Sequence, residues 1–128
     1  MGGQKAKVLI IEDDKFLSEL ISTKLDKEGF DIGLAGDGET GYKKAEEYKP
    51  DIILLDIMLP GMDGFEVLGK LKKHANTAIK NIPVIILSNF GQESKIEHGL
   101  QLGAVDYLVK ANFTTGEIVE KIKKVLDQ

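Results

Sequence analysis

Five short apolar runs, each closed by polar residues, alternate with segments of helical period, and this alternation leaves the chain few folds to choose from. The sharpest run is Ile52-Ile53-Leu54-Leu55, which ends at Asp56 and enters the turn Ile57-Met58-Leu59-Pro60-Gly61-Met62-Asp63-Gly64. A continuous apolar run bounded by turn signals predicts a strand buried on both faces. Val8–Ile11, Phe30–Ala35, Pro83–Leu87 and Asp106–Val109 are the other predicted strands. Between them the period changes. Lys15–Glu28 predicts a helix with Phe16, Leu17, Leu20, Ile21 and Leu25 inward, capped by Asp14 and ended by Gly29. Glu39–Tyr48 predicts a helix presenting Tyr42, Ala45 and Tyr48. Phe65–Lys73 predicts one presenting Phe65, Leu68 and Leu71. His74–Ile82 reads as a long polar connector. Gln92–Leu102 reads as a weak helix, interrupted by Gly99 and ended by Gly103. The last helix, capped by Thr114 or Thr115, carries Ile118, Val119, Ile122, Val125 and Leu126.

Five strands alternating with five helices predict an α/β fold: a doubly wound, three-layer parallel sheet with helices on both faces. A length of 128 residues suits one domain. No repeat, low-complexity tract or internal linker marks a second. Residues 1–6 read as a flexible lead-in and 7–128 as the domain.

Composition narrows the chemistry. The absence of cysteine removes disulfide frameworks, thiolate nucleophiles and cysteine-ligated zinc. The basic residues are all lysine, so any phosphate is met by lysine or backbone N–H groups rather than by guanidinium forks. A net charge of −4 argues against direct nucleic-acid binding. No run is long and apolar enough to span a bilayer, and the first residues lack a signal-peptide core, so the expected location is the cytoplasm.

In a parallel sheet the carboxyl ends of the strands share one edge, where ligand crevices form. That edge receives Glu12 and Asp13 from the first strand, Asp56 from the third, Ser88 from the fourth and Lys110 from the fifth. Singly, each has a plainer explanation. An acid after a strand commonly caps a turn or helix, a serine fills a turn, and a lysine is a solvated surface group. Together they form a set that such placements rarely produce. Neighbouring carboxylates repel one another, so a pKa rises unless a cation intervenes. All-oxygen ligands favour Mg2+ or Mn2+ over zinc. A lysine and a hydroxyl supply contacts to phosphoryl oxygens, and Asp56 is placed to act as the nucleophile of a phosphoryl transfer.

Glu12-Asp13-Asp14, Asp51–Asp56, Met58–Gly64, Pro83–Ser88 and Gly103–Lys110, in that order, resemble the receiver domain of response regulators. The resemblance runs from about Lys7 to Leu126. It implies the strand order 2-1-3-4-5, for which the flavodoxin-like family is a standard illustration. It also implies that Asp56 is phosphorylated from a phosphohistidine of a sensor histidine kinase or histidine phosphotransfer protein. Glu12, Asp13, Asp56 and the Met58 carbonyl would hold Mg2+. Lys110 and Ser88 would contact the phosphoryl group, and Tyr107 would turn inward with Ser88 as the switch. The surface of the fourth helix, fifth strand and fifth helix would carry the signal to a downstream protein target. The chain would be a monomer or a phosphorylation-dependent homodimer, catalysing its own phosphorylation without being a conventional turnover enzyme.

The chain departs from the family pattern at Ala111, where the family has a proline joined by a cis bond. A non-proline cis bond costs about 2.5–4 kcal/mol, so either the loop keeps it or Lys110 and Asn112 follow another path. Asn89 is larger than usual and narrows phosphoryl access. Met58 and Phe90 stand where the family tunes phosphoryl loss, and neither readily orients a water, which predicts slow self-dephosphorylation. The rival readings are a non-phosphorylated docking module of the same fold and a flavodoxin-like FMN carrier. His74 and His98 read as isolated surface residues.

Overall fold

The computed structural model describes residues 5–127. Most of the expected lead-in at residues 1–6 lies outside them. Five strands form one parallel sheet: β1 (Lys7–Ile11), β2 (Asp31–Ala35), β3 (Ile52–Leu55), β4 (Val84–Ser88) and β5 (Asp106–Val109). Their order is β2-β1-β3-β4-β5, with every pair parallel. Six helices connect and flank them: α1 (Lys15–Lys27), α2 (Gly38–Tyr48), α3 (Gly64–Lys72), α4 (Thr77–Lys80), α5 (Glu93–Leu102) and α6 (Thr115–Leu126).

Alternation along the strands divides the core in two. Leu9, Ile11, Ile53, Leu55 and Ile86 face α2, α3, α4 and α5. Val8, Ile10, Ile52, Leu54, Ile85 and Leu87 face α1 and α6. Side chains of successive strand residues point to opposite faces, so a strand apolar at every position has to be covered on both. That covering is the third layer the sequence requires.

The elements differ from expectation at four places. The connector after α3 contains α4, a single turn capped by the Asn76 side chain, which accepts from the Ala78 N–H at 2.9 Å. It forms because Ile79 and Ile82, two apolar residues in a polar stretch, bury themselves against the core. In α1 the buried line is Ser18, Ile21 and Leu25, while Phe16 is 74% exposed and Leu20 is also exposed. A buried stripe of i, i+3, i+7 leaves both outside it. In α3 Val67 joins Leu68 and Leu71 in the core, and Phe65 is only half-buried. In α5 Gly99 is buried rather than disruptive. A Cβ there would lie 2.5 Å from Ile86 Cδ1 and 3.1 Å from the Tyr107 ring, so the helix approaches the sheet through its glycine.

Candidate functional site

The carboxyl ends of β1, β3 and β5 open onto a cleft of about 580 Å³ lined by Glu12, Asp13, Asp56, Met58 and Lys110, with Phe65, Asn89, Phe90 and Lys95 at its walls. Each acid is delivered by its strand. Backbone pairing carries β1 and β3 to the same level, with Asp56 N–H donating to the Ile11 carbonyl at 2.9 Å. After Asp56 the chain turns sharply: the Ile57 carbonyl accepts from both Leu59 N–H and Gly64 N–H. Gly64 is needed here, because a Cβ would run into the Asp56 carbonyl. Asp63 then caps α3 in a reciprocal box with Glu66. The turn is thus tied down at both ends, which holds Met58 at the cleft mouth.

Asp56 is 4% exposed and both its oxygens have donors. Met58 N–H reaches Oδ1 at 3.3 Å and Lys110 Nζ reaches Oδ2 at 3.0 Å. Lys110 Nζ also stands 3.0 Å from Glu12 Oε1. One ammonium therefore bridges two buried carboxylates. Burial lowers the Lys110 pKa, but its bonds to Glu12 and Asp56 outweigh that and hold it above the ordinary lysine value. Glu12 is pushed up to about 7, first by burial and further by the Asp56 charge, against the opposing pull of Asp14 N–H and Lys110. Two carboxylates share one lysine, and their charge is not fully compensated.

That deficit tests the site for a cation. One carboxylate oxygen from each of Glu12, Asp13 and Asp56 lies within 4.8 Å of the other two, with Asp13 facing solvent. Oxygen-only and under-compensated, with two of its three acids buried, the set fits a hard divalent ion.

Ser88 and Tyr107 do not line the cleft. Ser88 is fully buried, and its Oγ accepts from Phe90 N–H at 3.0 Å. Tyr107 is already turned inward, its hydroxyl donating to the Phe90 carbonyl at 2.8 Å. One residue, Phe90, is thus held through its backbone by both, while its side chain lines the cleft. Sequence reasoning singled out Ser88 and Tyr107 but missed Phe90, whose backbone N–H and carbonyl join them. No residue-type signal marks a backbone contact.

All described peptide bonds are trans. The chain leaves β5 through a 3₁₀ turn, Lys110–Asn112, so Ala111 follows its own path and Lys110 still reaches Asp56. The reading of His74 as isolated is corrected. Its Nε2 lies 2.7 Å from Glu46 Oε2 and its Nδ1 accepts from Asn76 N–H, tying α2 to the connector. His98 meets Phe65 edge-on at 4.5 Å between ring centroids. Both partners come from other elements or from backbone, which sequence spacing does not reveal.

Residues 8–123 match the family described as the response regulator receiver domain. Over 120 residues the chain is 39% identical to the DNA-binding dual master transcriptional regulator RpaA of Synechocystis, covering 94% of this chain and 48% of that protein. It therefore spans about half the length of the curated relatives it matches. A CheY-like response regulator receiver domain protein from Methanospirillum hungatei superposes with a TM-score of 0.87 at 27% identity, covering 97% of this chain and 95% of that one. A chain of the CheX–CheY–BeF3–Mg2+ complex from Borrelia burgdorferi gives 0.84 at 30% identity, covering 94% and 88%. A match of that extent, on a sheet wound in this order, makes the chain a member of the response regulator receiver domain family of two-component signalling.

Proposed function

We propose that Asp56 accepts a phosphoryl group from the phosphohistidine of a sensor histidine kinase or histidine phosphotransfer protein. The reading rests above all on the convergence of Glu12, Asp13, Asp56 and Lys110 in one cleft. An Asp56 oxygen forms the new P–O bond as the P–N bond to the donor imidazole breaks, and the imidazole leaves with the bond's electron pair. Glu12, Asp13, Asp56 and the Met58 carbonyl would hold Mg2+, with Mn2+ as a substitute. Bound there, the ion would neutralise carboxylate charge and attract phosphoryl oxygens. Lys110 is released from Asp56 once that carboxylate becomes an acyl phosphate, and it turns to the phosphoryl group.

Ser88 follows as a hydrogen-bond donor to the phosphoryl group. Its move gives up the contact with Phe90 N–H, and the change passes to Phe90, whose carbonyl Tyr107 also holds. Tyr107 and Ser88 are the switch, and α5, β5 and α6 form the surface offered to a downstream protein in the cytoplasm. The active unit is a monomer or a phosphorylation-dependent homodimer. The reaction is the domain's own phosphorylation and later loss of the group, not conventional turnover. The side chains of Met58 and Phe90, which line the cleft, carry no acid or amide to orient water, so the phosphoryl group persists. A docking role without phosphorylation leaves the paired acids and Lys110 unexplained, and an acidic cleft suits the phosphate of FMN poorly.

Incubation with Mg2+ and acetyl phosphate should add one phosphoryl group by intact mass, and Asp56→Asn should add none. No adduct on the parent protein contradicts the reading. After donor removal the adduct should outlast seconds by a wide margin.

A further inference from the structure

We propose that Lys95 is a positioning cation for the phosphoryl donor, drawing its anionic group from the cleft mouth toward Asp56; this rests on the reading of Asp56 given above. Five carboxylates line the cleft, Glu12, Asp13, Asp14, Asp56 and Asp63, against two lysines. Lys110 is committed to Glu12 and Asp56. Lys95 forms no ion pair among the described residues. It is the lining cation left to meet an incoming anion.

Its position is defined from two sides. The Lys95 Nζ stands 5.5 Å from the Phe90 ring centroid and 5.8 Å from that of Phe65. Phe65 comes from the start of α3 and Phe90 from the loop after β4, so the ammonium spans the cleft wall. Ring faces attract a cation weakly when it is exposed to water. An anion can therefore take Lys95 from the rings at little cost. The same contacts join it to Phe90, whose backbone is held by Ser88 and Tyr107.

Local helix stability does not explain the residue. Lys95 is the third residue of α5, where a cation opposes the helix dipole. At the corresponding position α3 has Glu66 and α6 has Glu117, each closing a capping box. In α5 the Gln92 side chain makes no cap bond, and the third position carries a charge of the opposite sign. The ligand chemistry is a phosphoryl dianion on a small acyl phosphate or on a donor imidazole.

The test measures phosphorylation rate constants with acetyl phosphate and with the less negative phosphoramidate, at low and high salt, for the parent protein, Lys95→Met and Lys95→Arg. With acetyl phosphate at low salt, Lys95→Met should be slower by about fivefold, as expected for loss of one steering charge. The deficit should shrink with phosphoramidate and in high salt, and Lys95→Arg should restore most of the rate. Equal rates for Lys95→Met and the parent overturn the proposal. So does an equal, salt-independent deficit in both variants, which marks a packing role. If the parent itself takes no phosphoryl group, the Asp56 reading falls and this one with it.

Discussion

α5 and α6 flank the same strand, β5, yet they are held by different means. α6 starts with a complete capping box and buries Ile118, Val119 and Ile122. α5 starts without a side-chain cap, and the one residue it fully buries is Gly99. A helix fixed by three aliphatic side chains and two reciprocal cap bonds is scaffold. A helix that rests on a glycine, with Ile96 and Leu102 half-buried beside it, has little to hold it in one place. The less anchored helix is also the one whose first turn reaches the cleft, through Lys95. Motion therefore belongs to α5: the site is connected to the looser of the two helices, and the firmer one backs the opposite face of the sheet.

Truncations should separate the two helices most strongly. Ile122→Ala should cost about 2–5 kcal/mol, the usual range for emptying a buried aliphatic site. Ile96→Ala, only partly buried, should cost about 1 kcal/mol. Urea unfolding of the two variants checks this, and equal losses would erase the distinction.

A second contrast sets the site against the scaffold. The folded pKa of Glu12, about 7, lies above its unfolded value of 4.5. Its proton-linked contribution is therefore fully present below about 4.5 and is lost as pH rises through about 7. Glu12→Gln should stabilise the metal-free protein at pH 8 by roughly 1–2 kcal/mol. The gain should vanish near pH 5, where the parent is also neutral at this position. Thermal unfolding at the two pH values reads the difference. A gain that does not depend on pH contradicts the assignment.

Gly99→Ala gives a smaller effect with an informative sign. Alanine favours a helix by about 1 kcal/mol over glycine. The added Cβ would press on Ile86 and Tyr107, and overpacking costs about 1–3 kcal/mol. The net should be a loss of about 1 kcal/mol. A gain would mean that α5 yields freely, which sharpens the contrast further. Gln92→Asp, which supplies the missing cap, should stabilise by about 0.5–1 kcal/mol and reduce the mobility of α5.

Much of this was legible in the chain. Asp56, Glu12 and Lys110 could be read because strand ends are marked by the stop of an apolar run, and a parallel sheet gathers those ends by necessity. Asp14, Thr114 and Gly103 could be read as helix boundaries because caps are local chemistry. The illegible parts depend on rotation or on partners distant in sequence. Phe16 fell on the wrong side because α1 has more apolar residues than its buried stripe can hold. The α4 turn was hidden because two isoleucines, Ile79 and Ile82, make too short a pattern to show a period. Gly99 looked like a flaw because its value lies in what it lets approach, Ile86 and Tyr107. Lys95 did leave a trace, a lysine at the third position of a helix where α3 and α6 carry glutamate, but its rings come from two other elements.

Hydrogen exchange before and after phosphorylation, with Mg2+ and acetyl phosphate present, reads directly whether the site moves α5 and leaves α6 in place. Exchange should change in residues 88–102, covering the Phe90 loop and α5, while the amides of α6 keep their protection. Unchanged exchange in α5, or a change confined to α6, would contradict it.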